Sequence, residues 1–234
     1  MLEIAALLNV AQSGEPAAAV PSLVDRLKSE PPPTDWQTFT MRGLVVSEVL
    51  KYLTEPNDVR ALVQVWAEGS EDGSEVLESL LSGTGWSDAA VDAWQVREHV
   101  FRQPVERQSP GASPHGVKLA GTAYRRDDFT PEAFFDYWRN VHAPISGSVP
   151  GVGGYVVSEV RGQLSGKLAP DALLELWWPD EQTFEASGPT PEQAAAWEDV
   201  QRYAKTTGTF WLMRESVLVP PPPTGPGSLE VSDA

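Results

Sequence analysis

The chain has 234 residues, 41% of them hydrophobic, with nine Trp and a formal net charge of −16 at pH 7. That length and apolar content support a packed core, as one large domain or two small ones. The acidic balance excludes nucleic acid and anionic membrane surfaces as partners, because both need a basic footprint.

Cysteine is absent, so the chain has neither a disulfide framework nor a thiolate metal site or thiol nucleophile. No apolar run is long enough to span a membrane. Residues 1–10 carry Glu3 and no positive n-region, which reads as a strand and not as a signal peptide. A cytoplasmic protein is expected.

In chain order, residues 2–10 (LEIAALLNV) read as a buried strand and 17–29 as a helix with Val20, Leu23, Val24 and Leu27 on one side. Residues 39–50 and 59–66 are β-branched strands, 72–81 a second helix and 94–102 a last strand. That order is β-α-β-β-α-β. Residues 104–114, rich in Ser, Pro and Gly, form an exposed linker.

The second half repeats the order. Residues 117–125 are a strand, a helix opens at Thr130, and strands follow at 153–161 and 173–178. Thr190-Pro-Glu-Gln has capping-box spacing and opens a helix through about Tyr203. Residues 209–219 close the unit. The Pro-rich tail, 220–234, is expected to be disordered. Its Gly-Ser-Leu-Glu-Val segment is a candidate docking peptide for a partner, against the plainer reading of an inert tail.

The repetition is visible in residues. Gly43-Leu-Val-Val-Ser-Glu-Val49 matches Gly154-Tyr-Val-Val-Ser-Glu-Val160 at six of seven positions, and the same offset sets Val63-Gln-Val-Trp66 over Leu174-Glu-Leu-Trp177. Arg97-Glu98 and Val100 answer Arg214-Glu215 and Val217 in the last strands. A repeat of about 110 residues implies two similar units in one chain. Each sheet would leave an apolar face wet, and packing the two into a barrel buries both.

Residues 130–145, TPEAFFDYWRNVHAPI, carry the richest local signal. Thr130 can cap, Pro131 suits the first turn, and Glu132 sits at the positive end of the dipole. Phe134, Tyr137, Trp138, Val141 and Ile145 form one apolar stripe, with Asp136, Arg139 and Asn140 opposite. Pro144 disfavours helical continuation, so the helix should end close to His142. His142 then sits at the edge of the stripe, partly desolvated and able to exchange protons near neutral pH.

This helix, aromatic-Trp-Arg-x-x-His-Ala-Pro, resembles the EthD family of dimeric α/β-barrel proteins, and the resemblance runs over about residues 116–219. It implies an α+β fold of tandem ferredoxin-like (β-α-β-β-α-β) units forming an intramolecular dimeric α/β-barrel, with residues 1–103 a degenerate unit and 115–219 the EthD-like one. It also implies that His142 is the catalytic residue. Other tandem barrels of this type hold haem through a His of the second half, and His142 would be its ligand here, although its Ala-Pro context looks more like EthD.

As a general acid/base, His142 would move a proton next to a carbonyl or a departing hydroxyl; the plainer reading is a His binding the last helix carbonyls. Tyr137 and Trp138 are core or cleft wall, and Asn140 could orient a substrate oxygen. Tyr124 and Arg126 share a side at the end of the first strand of this half, as Tyr155 and Glu159 do on the next. Glu159, like its counterpart Glu48, is read first as an ion-pair partner of Arg97 or Arg214. Trp178 and Trp211 add aromatic surface. The candidate substrate-binding set is Tyr124, Tyr137, Trp138, Asn140, Tyr155, Glu159, Trp178 and Trp211. His99 lies in the degenerate half, and His115 should be solvated.

The chain lacks a phosphate-binding Gly-rich loop, a nucleophile elbow and a paired-His metal motif. The expectation is a cofactor-free and metal-free enzyme acting by His-assisted proton transfer on a small apolar, aromatic or polyketide-like substrate, as a cyclase, dehydratase or isomerase. The alternatives are a cofactor-independent monooxygenase of a phenol and a non-catalytic ligand-binding or accessory protein. The assembly is expected to be a monomer or a homodimer.

Overall fold

The β-branched runs pair into eight strands: β1 (Leu2–Asn9), β2 (Thr40–Tyr52), β3 (Val59–Glu68), β4 (Val91–Arg102), β5 (Val117–Ala123), β6 (Gly154–Ser165), β7 (Ala172–Trp178) and β8 (Phe210–Val219). The computed structural model describes residues 1–9, 33–35, 38–54, 59–84, 91–104 and 116–222. The helix expected at 17–29, His115, nearly all of the linker and the tail beyond residue 222 lie outside the described residues.

The strands form a closed barrel in the order β1-β3-β2-β8-β5-β7-β6-β4, with each neighbouring pair antiparallel. Strands β1–β4 occupy one contiguous arc and β5–β8 the other. Within each arc the order is fourth, first, third, second strand, and β2–β8 and β4–β6 are the two seams.

Closure gives every strand an inner and an outer face. Ala5, Leu7, Leu62, Trp94, Ala120, Leu173, Trp211 and Met213 come from both arcs yet pack in one cluster, which only the barrel interior permits. The alternate residues face helices. On the first arc, Val76, Leu77 and Leu81 of α1 (Gly73–Thr84) pack on Ile4, Ala6, Val63 and Val65. On the second arc, a larger cluster joins β5, β6, β7 and β8 to the helices that follow β5 and β7.

The repeat seen in the sequence is reproduced in strand register. Gly43 stands opposite Trp66, and Gly154 opposite Trp177. A Cβ on either glycine would meet its Trp ring within about 3 Å and also a proline that follows the last strand of the other arc, Pro221 for Gly43 and Pro104 for Gly154. Glycine is required at both positions by this close approach.

The barrel interior also holds charge. Lys118 Nζ lies 2.5 Å from Glu175 Oε2 and 2.8 Å from Glu215 Oε2, while Gln64 Nε2 donates to Glu175 Oε1 at 2.9 Å. The ammonium also sits over the Trp177 ring, 5.2 Å from its centroid. The lysine and Glu175 are sealed from solvent.

One helix departs from expectation. It does not end near His142: α2 (Pro131–Tyr137) runs into a π-helical segment (Trp138–His142) and then into α3 (Ala143–Gly147). Pro144 has no N–H for the Asn140 carbonyl, and its ring would crowd that carbonyl in a regular turn. The widened turn relieves this, with Ala143 N–H bonding the Trp138 carbonyl five residues back. Two more helices complete the arc: α4 (Glu181–Ser187), capped by Asp180 and not foreseen in the sequence, and α5 (Pro191–Tyr203), capped by Thr190 as expected.

Replacing Lys118 by Met would leave two carboxylates facing each other in the interior. Such a loss of one partner costs about 3–5 kcal/mol, so the urea midpoint of Lys118→Met should fall sharply. A midpoint equal to wild type would show that the ammonium does not hold the barrel interior together.

Candidate functional site

On the outer face of the second arc, a pocket opens between the strands and the helices α2 to α3 and α5. The space between them is about 630 Å³, open solvent at its mouth included. Its walls are mostly apolar: Leu119, Leu176, Trp138, Trp178, Val200 and Phe210. Trp197, 45% exposed, also lines it and meets Phe210 edge-to-face at 5.4 Å.

Against these walls stands one polar chain. The widened helix and its restart carry His142 and Ser146, four residues apart and on one face, into the pocket wall. His142 is 5% exposed. Its Nδ1 lies 3.0 Å from Asp199 Oδ2 of α5, and its Nε2 lies 2.8 Å from Ser146 Oγ. Asp199, 3% exposed, accepts the Tyr137 hydroxyl at 2.8 Å on its other oxygen. Tyr155 of β6 hydrogen-bonds Ser146 and accepts Trp138 Nε1–H at 2.6 Å.

Donor chemistry sets the two ends of this chain. An indole N–H only donates and an ionised carboxylate only accepts. Trp138 N–H therefore donates to Tyr155, and His142 Nδ1–H to Asp199. In the neutral ring, Nε2 is then the acceptor for the Ser146 hydroxyl. Burial lowers its pKa, opposed by the hydrogen bond and charge of Asp199. Burial pushes the Tyr155 and Tyr203 hydroxyls well up, so both stay protonated.

Of the residues expected at the site, His142, Trp138, Tyr155 and Trp178 line the pocket. Trp178 is held there by its indole N–H on the Pro150 carbonyl at 3.2 Å. Tyr137 stands behind it and acts on Asp199. The other four are elsewhere. Tyr124, past the end of β5, is half-buried and outside the pocket lining. Asn140 is exposed, and its amide donates to the Asp136 carbonyl of its own helix at 2.9 Å. Trp211 faces the barrel interior, because alternation along β8 sends Phe210 and Leu212 to the helix side.

Glu159 shares the face of Tyr155 but lies four residues further, about 13 Å along the strand. There it bonds His99 at 3.1 Å and Arg161 at 2.6 Å. Register does place Arg97 opposite Glu159 and Arg214 opposite Glu48, as the repeat suggested, yet the Glu159 carboxylate turns to His99 and Arg161. Asp199 and Ser146 were missed by sequence reasoning. Ser146 carries a readable signal as the residue four after His142. Asp199, on another helix, carries none.

Because burial lowers His142 from its ordinary value near 6.5, the unfolded chain takes up a proton first as pH falls. This contribution to stability is complete above about pH 6.5 and is lost between there and the lower native value. His99 is lowered likewise and adds to the same slope. Between about pH 7.5 and about pH 5.5 the wild-type urea midpoint should drop, and His142→Asn should drop less. Equal drops would place the titration elsewhere.

Comparison with known proteins agrees with this architecture. The EthD domain model matches residues 126–207. No curated protein sequence is significantly similar to the chain. Among solved structures, an anthrone oxidase-like protein is similar at 13% identity and a TM-score of 0.56, over 99% of this chain and 96% of its own. A Fusobacterium nucleatum protein provisionally named a monooxygenase is similar at 6% and 0.53, over 92% and 93%. An EthD family protein from Bacillus halodurans is similar at 24% and 0.37, over 42% of this chain and 95% of its own. For the first two structures, at these identities, the likeness is one of fold. Residues 126–207 match the EthD domain model and lie in a closed eight-stranded barrel.

Proposed function

We propose that the chain is a cofactor-free enzyme that moves a proton on a small, apolar, aromatic or polyketide-like substrate, with His142 as general base and acid. The single observation behind this reading is the buried Asp199–His142 pair opening into an apolar pocket. Asp199 sets the tautomer and steadies the imidazolium that forms; the aromatic walls exclude water and hold a planar ligand. Cyclisation, dehydration and isomerisation all require such a step. This reading assigns Nε2 of His142 to proton transfer and invokes no haem chemistry.

The strand order of each arc supports the finer reading of two tandem ferredoxin-like units, the first serving as scaffold. No described helix is long and apolar enough to cross a membrane; a cytoplasmic setting is part of the proposal.

A second reading, oxygenation of a phenol or anthrone, is favoured by the same pair, because deprotonation would make such a substrate electron-rich. The anthrone oxidase-like neighbour lends it the fold alone. Oxygen uptake on adding anthrone separates the two readings, since proton transfer alone consumes no oxygen.

The direct test is exchange of the acidic protons of 2-tetralone in D2O, followed by NMR. Wild type should accelerate exchange, and His142→Asn should lose about 10²–10⁴-fold of that acceleration while keeping its fold. Equal exchange in both proteins would remove His142 from the mechanism.

A further inference from the structure

The proposed proton transfer uses His142 and Asp199 but gives no task to Ser146, whose hydroxyl is aimed at the basic nitrogen. Ser146 Oγ to His142 Nε2 is 2.8 Å and His142 Nδ1 to Asp199 Oδ2 is 3.0 Å. These are the separations that a hydroxyl nucleophile, its base and the carboxylate orienting that base require, and such a constellation is recognised by geometry, whatever the chain order. All three residues are nearly sealed from bulk water, and Ser146 and His142 line the pocket.

We propose that Ser146, His142 and Asp199 form an acyl-transfer site that hydrolyses small apolar esters, with Ser146 as nucleophile. This rests on the reading of His142 and Asp199 as an acid/base pair. His142 Nε2 takes the Ser146 proton as Oγ bonds to the ester carbonyl carbon. The bond from that carbon to the alkoxy oxygen breaks, and the departing alcohol takes the proton from His142. Water then attacks the acyl-serine, giving a proton to His142, and Ser146 Oγ leaves and recovers it. The net reaction is ester plus water to acid plus alcohol.

Tyr155 supplies the donor for the oxygen that becomes negative. In the resting site its hydroxyl is hydrogen-bonded with Ser146. When Ser146 Oγ is bonded to carbon, that O–H turns to the adjacent carbonyl oxygen, while Trp138 N–H holds the phenol oxygen at 2.6 Å. The mostly apolar walls select an ester with an apolar acyl or aryl part.

The test uses the full chain with 4-nitrophenyl butyrate as substrate and an alkyl fluorophosphonate as label, located by peptide mass spectrometry. One phosphonyl group on Ser146 is expected. Ser146→Ala should abolish labelling and lower nitrophenol release by at least about 100-fold, and His142→Asn should do the same. Ser146→Cys provides a second check should the alanine variant fold poorly. The chain has no cysteine, so any iodoacetamide adduct reports that thiol alone, and alkylation should be faster than in Ser146→Cys with His142→Asn. Labelling elsewhere, unchanged nitrophenol release in Ser146→Ala, or a thiol indifferent to His142 would each overturn the proposal. Tetralone exchange separates the two ideas: if His142 proves dispensable there, the underlying acid/base reading fails; if exchange stays His142-dependent while Ser146 takes no label, only the nucleophile is lost.

Discussion

Closure of eight strands into one ring is the constraint from which the rest of the structure follows. In a closed barrel no strand has a free edge, and alternation assigns side chains to the interior or to the helix layer, interrupted where the register shifts. Trp177 and Trp178 are adjacent in sequence and end up in different compartments. Trp177 turns inward beside Lys118, and Trp178 turns outward into the pocket wall. The same rule sends Trp211 inward and Phe210 outward. The pocket is therefore a product of strand parity as much as of the helices above it.

The two arcs agree in shell and differ in content. Gly43 against Trp66 and Gly154 against Trp177 mark the same backbone approach in each. At the offset that joins those glycines, Gln64 of the first arc stands where the second has Glu175. Glu3 pairs with Trp66 in register as Lys118 does with Trp177. Interior charge thus differs between equivalent positions of the two arcs. Lys118 bridges two carboxylates of its own arc while Gln64 reaches across from the other. A buried network of this kind holds the register of the two arcs because a shift would strand its charges.

Above the second arc, Pro144 decides the site. In a regular helix its ring would meet the carbonyl four residues back, and the widened turn that avoids this keeps the chain helical through Ser146. His142 thereby lies inside a helix and not at its end, and Ser146 is delivered to the same face. Asp199 arrives from α5 and meets the ring from the other side, so the hydrogen bond between them also ties the two helical segments together. An apolar surround raises the worth of each polar contact and equally the cost of leaving one unmade, which accounts for the completeness of the chain from Trp138 to Asp199.

The amino-acid sequence alone determined the eight strands, the internal repeat and the Thr130 and Thr190 caps, and it singled out Trp138, His142, Tyr155 and Trp178, which line the pocket. These are local matters of propensity, alternation and residue chemistry, and they are written in consecutive residues. Tertiary structure alone decided that a proline would widen the helix without ending it, because that outcome depends on what the continued turn packs against. It also left Trp211, Asn140, Glu159 and Tyr124 out of the pocket: Trp211 by strand parity, Asn140 on the exposed side of its helix, Glu159 by its distance along the strand, and Tyr124 past the end of β5. Above all, it brought Asp199 to His142 across 57 residues of chain. No periodicity encodes a contact between side chains of two separate helices, and the proposed proton transfer rests on that contact.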